Sequence, residues 1–415
     1  MKYVLIGAGS RGMIYGSWAA EHGIQIAAIA EPRPDRRNAA GEKLGVPENM
    51  RFADASQVFA LGKIADAAII ATMDWDHYPH TMAALDCGYD ILLEKPISPD
   101  AKECVAIEEK ANRLGRKITV CHVLRYTNFW GEIKRILDSG ELGKIVAIKH
   151  SENIGNYHMA HSFVRGNWRN DRLSSPIIMQ KSCHDLDILL WLTGAHCTRV
   201  SAFGGLHYFR EENAPADSAA RCCDCPVADK CRFNAYRVYT PILGQWPADV
   251  VCLEQTPEAL DQALRTGPYG RCVFRCDNNV CDHMSMILEF DNGVTATFSL
   301  TAQTNAVHRN IHIMCENGEI LGDDGQRQII VNHFVGCPAE TFTTRTVNVR
   351  TNSSGHGGGD AGIMEDFTAG LESRAESRSS ISRSVESHLM ACALEQSRLT
   401  GKTVELAQFR KSLLE

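Results

Sequence analysis

Val4-Leu5-Ile6-Gly7-Ala8-Gly9-Ser10-Arg11-Gly12 is the stretch that decides the fold. An apolar run from Tyr3 to Ile6 stops at three glycines spaced G-x-G-x-x-G, and a helix-length segment, Met13 to His22, follows. In that context the glycines mark the first strand-to-helix turn of a Rossmann unit. Gly7 permits the tight turn, Gly9 lets backbone approach a pyrophosphate, and Gly12 lets the helix pack close to the strand. The helix N-terminus adds free N–H groups and the positive end of its dipole. Glu31, about twenty positions further on at the end of the next apolar run, is placed to accept hydrogen bonds from an adenosine ribose. Its charge repels a 2′-phosphate and so favours NAD over NADP, although Arg33, Arg36 and Arg37 lie close by in sequence.

Outward from this turn, Ile24–Ala30, Ala67–Ala71, Ile91–Leu93 and Ile118–Cys121 read as further strands. Pro34–Leu44, His77–Asp86 and Pro99–Leu114 read as the helices between them. This alternation predicts a doubly wound parallel sheet over residues 1–124. Beyond Arg125 the pattern changes. A helix at Phe129–Asp138, a strand at Ile145–His150, a Trp-, His- and Arg-rich loop and a helix at Ser182–Leu192 precede runs at Met284–Phe290, Val294–Leu300 and Ile311–Cys315. Asp291-Asn292-Gly293 is a hairpin-type turn, so residues 125–415 are expected to form an α/β domain on an open, mostly antiparallel sheet, with a Cys-rich insertion near 215–280.

The chain has 415 residues, 43 Lys+Arg against 50 Asp+Glu and a net charge of −7, which argues against a nucleic-acid binder. No run reaches the roughly 20 apolar residues of a membrane span, and no export signal precedes the first strand. The expectation is a cytoplasmic protein whose 16 cysteines are reduced thiols, some of them holding a metal.

Glu94-Lys95-Pro96 follows a strand and puts a lysine at the carboxyl edge of the sheet, where open α/β sheets bind ligands. Together with the glycine turn and Ala71-Thr72-Met73-Asp74-x-x-His77, it resembles the Gfo/Idh/MocA family of NAD(P)-dependent oxidoreductases, which act mostly on sugars and polyols. The resemblance implies cofactor contacts from Gly7, Gly9, Ser10, Arg11, Gly12, Glu31, Thr72, Asp74, His77, Glu94 and Lys95. It also implies a second domain whose sheet closes the active site and joins subunits into a homodimer or homotetramer. Met73 and Asp74 depart from the Pro-Asn common in the family.

In the second domain, Gln180-Lys181-Ser182-Cys183-His184 resembles the family's D-x-x-x-H at His184, with Gln180 in place of the carboxylate and Lys181 beside it. Hydride transfer from an alcohol needs a base for the hydroxyl proton. Either Lys95 or His184 suits that role, and sequence does not separate them; His184 is assigned proton transfer and Lys95 positioning and relay, with Lys181 taking part of the missing electrostatic role. Tyr157, His158, His161, Trp168 and Arg169 offer aromatic faces and donors suited to a hydroxyl-rich ring. His356 and Asp360, in His-Gly-Gly-Gly-Asp, contact hydroxyls or belong to a flexible turn, and this pattern is similar to that of NAD-dependent glycosidases. Cys222, Cys225 and Cys231 with Cys272 suit tetrahedral structural zinc, Cys276 being the rival fourth ligand. Unligated thiols, a disulfide and an iron–sulfur cluster are the alternatives. The expected activity is NAD-dependent oxidation of a ring hydroxyl of a sugar, polyol or glycoside. The alternative is glycoside hydrolysis by transient oxidation, elimination, hydration and re-reduction.

Overall fold

A computed structural model describes residues 1–337, 340–350 and 355–415. Six parallel strands form the first sheet: β1 (Lys2–Ile6), β2 (Gln25–Ala30), β3 (Arg51–Phe52), β4 (Ala67–Ile70), β5 (Asp90–Leu93) and β6 (Ile118–Val120). Their order is β3-β2-β1-β4-β5-β6, so the strand order reverses between β1 and β4, and the crevice at that switch point is where such sheets bind ligands. β4 and β5 are buried at every residue because helices cover both faces. The expected strands and helices are present with ends shifted by up to three residues. β3 and the helix Ala55–Phe59 are additions, since a two-residue edge strand has no period to read.

The second sheet has nine strands: β7 (Ile145–Asn153), β8 (Cys197–Gly205), β9 (His283–Phe290), β10 (Thr295–Thr301), β11 (His308–Cys315), β12 (Gly318–Asp323), β13 (Gln328–Cys337), β14 (Glu340–Asn348) and β15 (Val404–Glu405). They run β14-β13-β12-β11-β7-β10-β9-β8-β15, antiparallel throughout except where β7 lies parallel to β10. Asn292-Gly293 makes the hairpin between β9 and β10, with Gly293 at φ +86°. The helix Ile381–Thr400 packs on β8. The other face of the sheet is open and carries Phe203 and Ile287, 71% and 59% exposed.

The chain then returns to the first sheet. Ile363, Met364 and Phe367, on the helix Gly359–Ser373, enter the same core as Tyr3, Leu5 and Ile29. The polar stretch after that helix pairs with β6: Val120 N donates to Ser379 O at 2.8 Å, and Thr119 bridges Ser380. A sheet edge is thereby covered by backbone, which removes it as a site of association.

The Cys-rich insertion lies between β8 and β9 and corrects the metal expectation. Among the described residues no group of three or more His, Cys, Asp or Glu side chains is arranged to hold an ion. Cys222, Cys225, Cys231 and Cys272 line one small cavity as free thiols, so the structure gives no support to zinc there. The insertion also has a core of its own. Tyr239, Leu260, Leu264 and Tyr269 pack together, and Phe209, Phe233 and Phe274 form an aromatic knot beside them. Arg165 ties this unit to the rest: its Nε donates to Arg271 O at 2.7 Å and its Nη2 to Phe233 O at 2.8 Å.

Arg125 holds the junction between the two sheets. It pairs with Asp187 at two points, each 2.7 Å, and both side chains are buried. Removing one partner strands the other charge, which typically costs about 3–5 kcal/mol. Arg125→Met is therefore expected to lower the unfolding free energy by about that amount in urea titrations. A loss no larger than that of a surface substitution would contradict the assignment.

Candidate functional site

Built from the glycine turn outward, the site begins with a cradle for a dinucleotide. Gly7 sits at φ +91°, and a Cβ there would lie 2.5 Å from Ala71 O; one on Gly12 would lie 2.0 Å from Gly7 O. These two glycines are required by the protein's own packing. Gly9 differs, because a Cβ there would meet nothing nearer than Arg36 Nη1 at 3.9 Å. The helix Ser10–Glu21 starts on Gly9 without a side-chain cap, which leaves first-turn amides free for an anion. Glu31 is buried, with Oε2 accepting from Ala8 N at 2.9 Å and Oε1 from Arg33 N at 3.1 Å, so its carboxylate is aimed at the turn. The residues present fit NAD.

Arg11 joins this cradle to two distant segments. Its Nε donates to Glu94 Oε1 at 2.7 Å, and Nη2 and Nη1 donate to the two oxygens of Asp360 at 2.7 and 3.1 Å. Tyr15 Oη also donates to Glu94 Oε1, at 2.6 Å. Burial would raise the Glu94 pKa, but Arg11 and Lys95 hold it below the ordinary range. Burial likewise opposes ionisation of Asp360, and His356 and Arg11 overcome it. The structure thus puts Asp360, with His356 3.1 Å away, against the glycine turn.

Lys95 leaves the end of β5 and donates from Nζ to Gln180 O at 2.8 Å. The Gln180 amide itself turns away, donating to Ser174 Oγ at 2.7 Å and to Ser175 O. His184 is buried with an unpartnered Nδ1, and burial, then Lys95 and His122, depress its pKa well below the usual value. Lys181 is depressed too, by burial, against the pull of Glu152, whose Oε1 is 3.2 Å from Nζ. Behind Lys181, Arg309 bridges Glu152 at 2.5 Å and Asp185 at 2.7 Å, and His150 Nε2 lies 2.7 Å from Asp185. Lys95 thus meets the backbone beside Lys181, and its charge acts on both Lys181 and His184.

The remaining sequence candidates divide. Asp74 accepts from Ser175 Oγ at 2.7 Å, His77 donates to Pro96 O at 2.6 Å, and Thr72 Oγ1 lies 3.3 Å from His80 Nδ1. His158 stands beside the lysines: burial, then Lys181, depresses its pKa. His161 lies one turn away on the π-helix Met159–Arg165, stacked on Tyr269 at 4.7 Å and bonded to Tyr239 Oη at 2.9 Å. Burial and Arg165 push it down to about 3. Trp168 is 38% exposed, and Arg169 is engaged by Asp277 at 2.7 Å.

Sequence reasoning missed His122, Glu152 and Arg309. His122 follows β6 at the carboxyl edge, with neither ring nitrogen hydrogen-bonded and its ring 5.7 Å from that of His184. A signal existed for the other two. Glu152 alternates in phase with Ile148 on β7, and Arg309 with Ile311 and Ile313 on β11, so each is a charge in the buried register.

A family model described as "Oxidoreductase family, NAD-binding Rossmann fold" matches residues 1–122, and one described as "Oxidoreductase family, C-terminal alpha/beta domain" matches 134–406. YteT of Bacillus subtilis, provisionally named an oxidoreductase, is 24% identical over 320 residues, covering 74% of this chain and 73% of that protein. Inositol 2-dehydrogenase of Corynebacterium glutamicum is 28% identical over 180 residues, 43% of this chain and 49% of that protein. Levoglucosan dehydrogenase in complex with NADH and levoglucosan superposes with a TM-score of 0.72 at 17% identity, covering 98% of this chain and 99% of its own.

Glu31→Ala is expected to weaken NAD binding by roughly ten- to a hundredfold, the scale of losing hydrogen bonds to a charged acceptor. It should affect NADP less. Calorimetric titration of both cofactors checks this, and tighter NADP binding by the unmodified protein would sink it.

Proposed function

The chain belongs to the Gfo/Idh/MocA oxidoreductase family, and from that premise we propose that it oxidises a ring hydroxyl of a sugar, polyol or glycoside. The observation that carries this reading is the position of Lys95, tied through Glu94 and Arg11 to the glycine turn and through its Nζ to the backbone of Gln180, next to Lys181 and four residues before His184. The inositol and levoglucosan dehydrogenases among its relatives support the substrate class.

NAD, when bound, supplies the acceptor for the hydride that leaves the carbinol carbon. His184, neutral because burial disfavours its charged form, takes the hydroxyl proton on its imidazole. Lys95, held by Gln180 O, orients the hydroxyl and stabilises the oxygen as it loses the proton. Lys181, fixed by Glu152, adds a second cation where the common family pattern has a carboxylate. Glu31, Ser10, Arg11, Thr72, Asp74, His77 and Glu94 belong to the cofactor side of this reading, and Tyr157, His158 and Trp168 to the substrate side. A homodimer or homotetramer is part of it, supported by the open sheet face around Phe203, Ile287 and Leu321. So is a cytoplasmic location; among the described residues no helix is long and apolar enough to cross a membrane.

One observation favours the second reading, redox-assisted glycoside hydrolysis. Lys181 and His158 are proton-transfer groups beyond the pair that a simple dehydrogenase needs. Net NADH on a glycoside panel supports the first reading, and aglycone release without net NADH supports the second.

Lys95→Ala and His184→Ala are each expected to lose at least about 10²-fold in turnover, the usual scale for a positioned acid or base. Near-normal turnover in either variant removes that residue from the assignment. The pH profile gives an independent check. A depressed His184 pKa keeps the base neutral below the ordinary histidine value of 6.5, so the acid limb of kcat/KM should fall below that pH. A limb at or above it would count against His184.

A further inference from the structure

Two large aromatic side chains stand at the rim of the reacting centre with their faces uncovered. Tyr157, on the short helix Asn156–His158, is 37% exposed, and Trp246, from the Cys-rich insertion, is 46% exposed. Their ring centroids are 6.3 Å apart with planes at 69°. Trp246 is held from behind: His158 meets it at 5.1 Å and 89°, and His161 at 5.8 Å and 72°. His161 is in turn clamped between Tyr239 and Tyr269, both in the insertion's core. The indole is therefore held by two imidazoles while nearly half of it remains exposed.

Tyr157 and His158 follow shortly on β7, whose Glu152 lies 3.2 Å from Lys181 Nζ. His158 lies close enough to Lys181 and Lys95 to feel both charges. Its Nδ1 is buried without a hydrogen-bond partner, an unmet polar group beneath the aromatic pair. A single six-membered ring with its hydroxyl at His184 and Lys95 accounts for the three groups of the reacting centre. The aromatic pair and the unpartnered imidazole are left over. Braced aromatic faces are poor surface to leave in water, and the C–H face of a pyranose is a natural cover for them, its hydroxyls reaching a nearby polar nitrogen.

We propose that Tyr157, His158 and Trp246 form a second sugar subsite, so that the substrate is a glycoside of at least two rings, one oxidised at the lysine pair and the next stacked on Trp246. This rests on the reading of the reacting centre given above and names its substrate class. It also gives the insertion a role: it carries the aromatic wall, and its own core keeps that wall in place.

The test uses the full chain saturated with NAD. Cellobiose, lactose, maltose and trehalose are compared with glucose, galactose and myo-inositol for NADH formation and for binding by calorimetry. The unmodified protein should prefer at least one disaccharide over its component monosaccharides in kcat/KM. Trp246→Ala should cut that preference about tenfold, mostly through KM, and Trp246→Phe, which keeps a stacking face, should retain most of it. A Tm close to that of the unmodified protein establishes that the variants are folded. Equal change for mono- and disaccharides, or none, overturns the subsite while leaving the dehydrogenase reading intact. Trp246-dependent binding of a disaccharide with no oxidation of any sugar upholds the subsite and sinks that reading. Trp246-dependence confined to p-nitrophenyl glycosides overturns the sugar ring as occupant, as does failure of every disaccharide to bind.

Discussion

The guanidinium of Arg11 is the interaction on which the rest of the site depends. One planar group satisfies Glu94, next to the lysine at the end of β5, and Asp360, at the start of the helix that returns from the second sheet. Two segments far apart in sequence are thereby fixed to the turn that cradles the dinucleotide. Arginine suits this because its fork addresses two carboxylates in fixed directions, which a lysine ammonium cannot do. Glu94 in turn accepts from the Lys95 backbone N–H at 2.9 Å, so the position of Lys95 is referred back to the cofactor loop.

Beneath the reacting centre lies a layer of buried charge. Lys181, Glu152, Arg309, Asp185 and His150 form a continuous chain between the crevice and the second sheet. Such a chain contributes little net stability, since desolvation offsets most of the Coulombic gain. Its value is positional: a lysine whose charge is matched by a single fixed carboxylate presents its ammonium in one place. The same reasoning applies to Asp74, which reaches across to Ser175 and ties the first sheet's crevice to the loop leading to Gln180.

The insertion illustrates how a plausible chemical reading yields to packing. Three cysteines in C-x2-C-x5-C with a fourth downstream carry metal-ligand spacing, and all four do line one cavity. The aromatic residues that pack in the insertion, Phe209, Phe233, Tyr239, Tyr269 and Phe274, are scattered over many turns without periodicity. Their convergence is visible only in three dimensions.

By itself the sequence determined the parallel sheet, the glycine turn, the positions of Glu31 and Lys95 at strand ends, and the one hairpin at Asn292-Gly293 in the second sheet. These follow from local periods of two and 3.6 residues and from glycines whose backbone demands are met within a few positions. His184 was singled out only by its likeness to the family's D-x-x-x-H, in which Gln180 stands where the carboxylate would be. Only the tertiary structure decided that Asp360 belongs to Arg11, that His161 faces the insertion and Arg169 is paired with Asp277, and that Glu152 and Arg309 underlie Lys181. Each of these is a pairing of side chains from distant segments. Sequence spacing carries no information on which strand lies beside which across a nine-stranded sheet, and the parallel contact of β7 with β10, which sets that neighbourhood, is fixed by the packing of the whole domain.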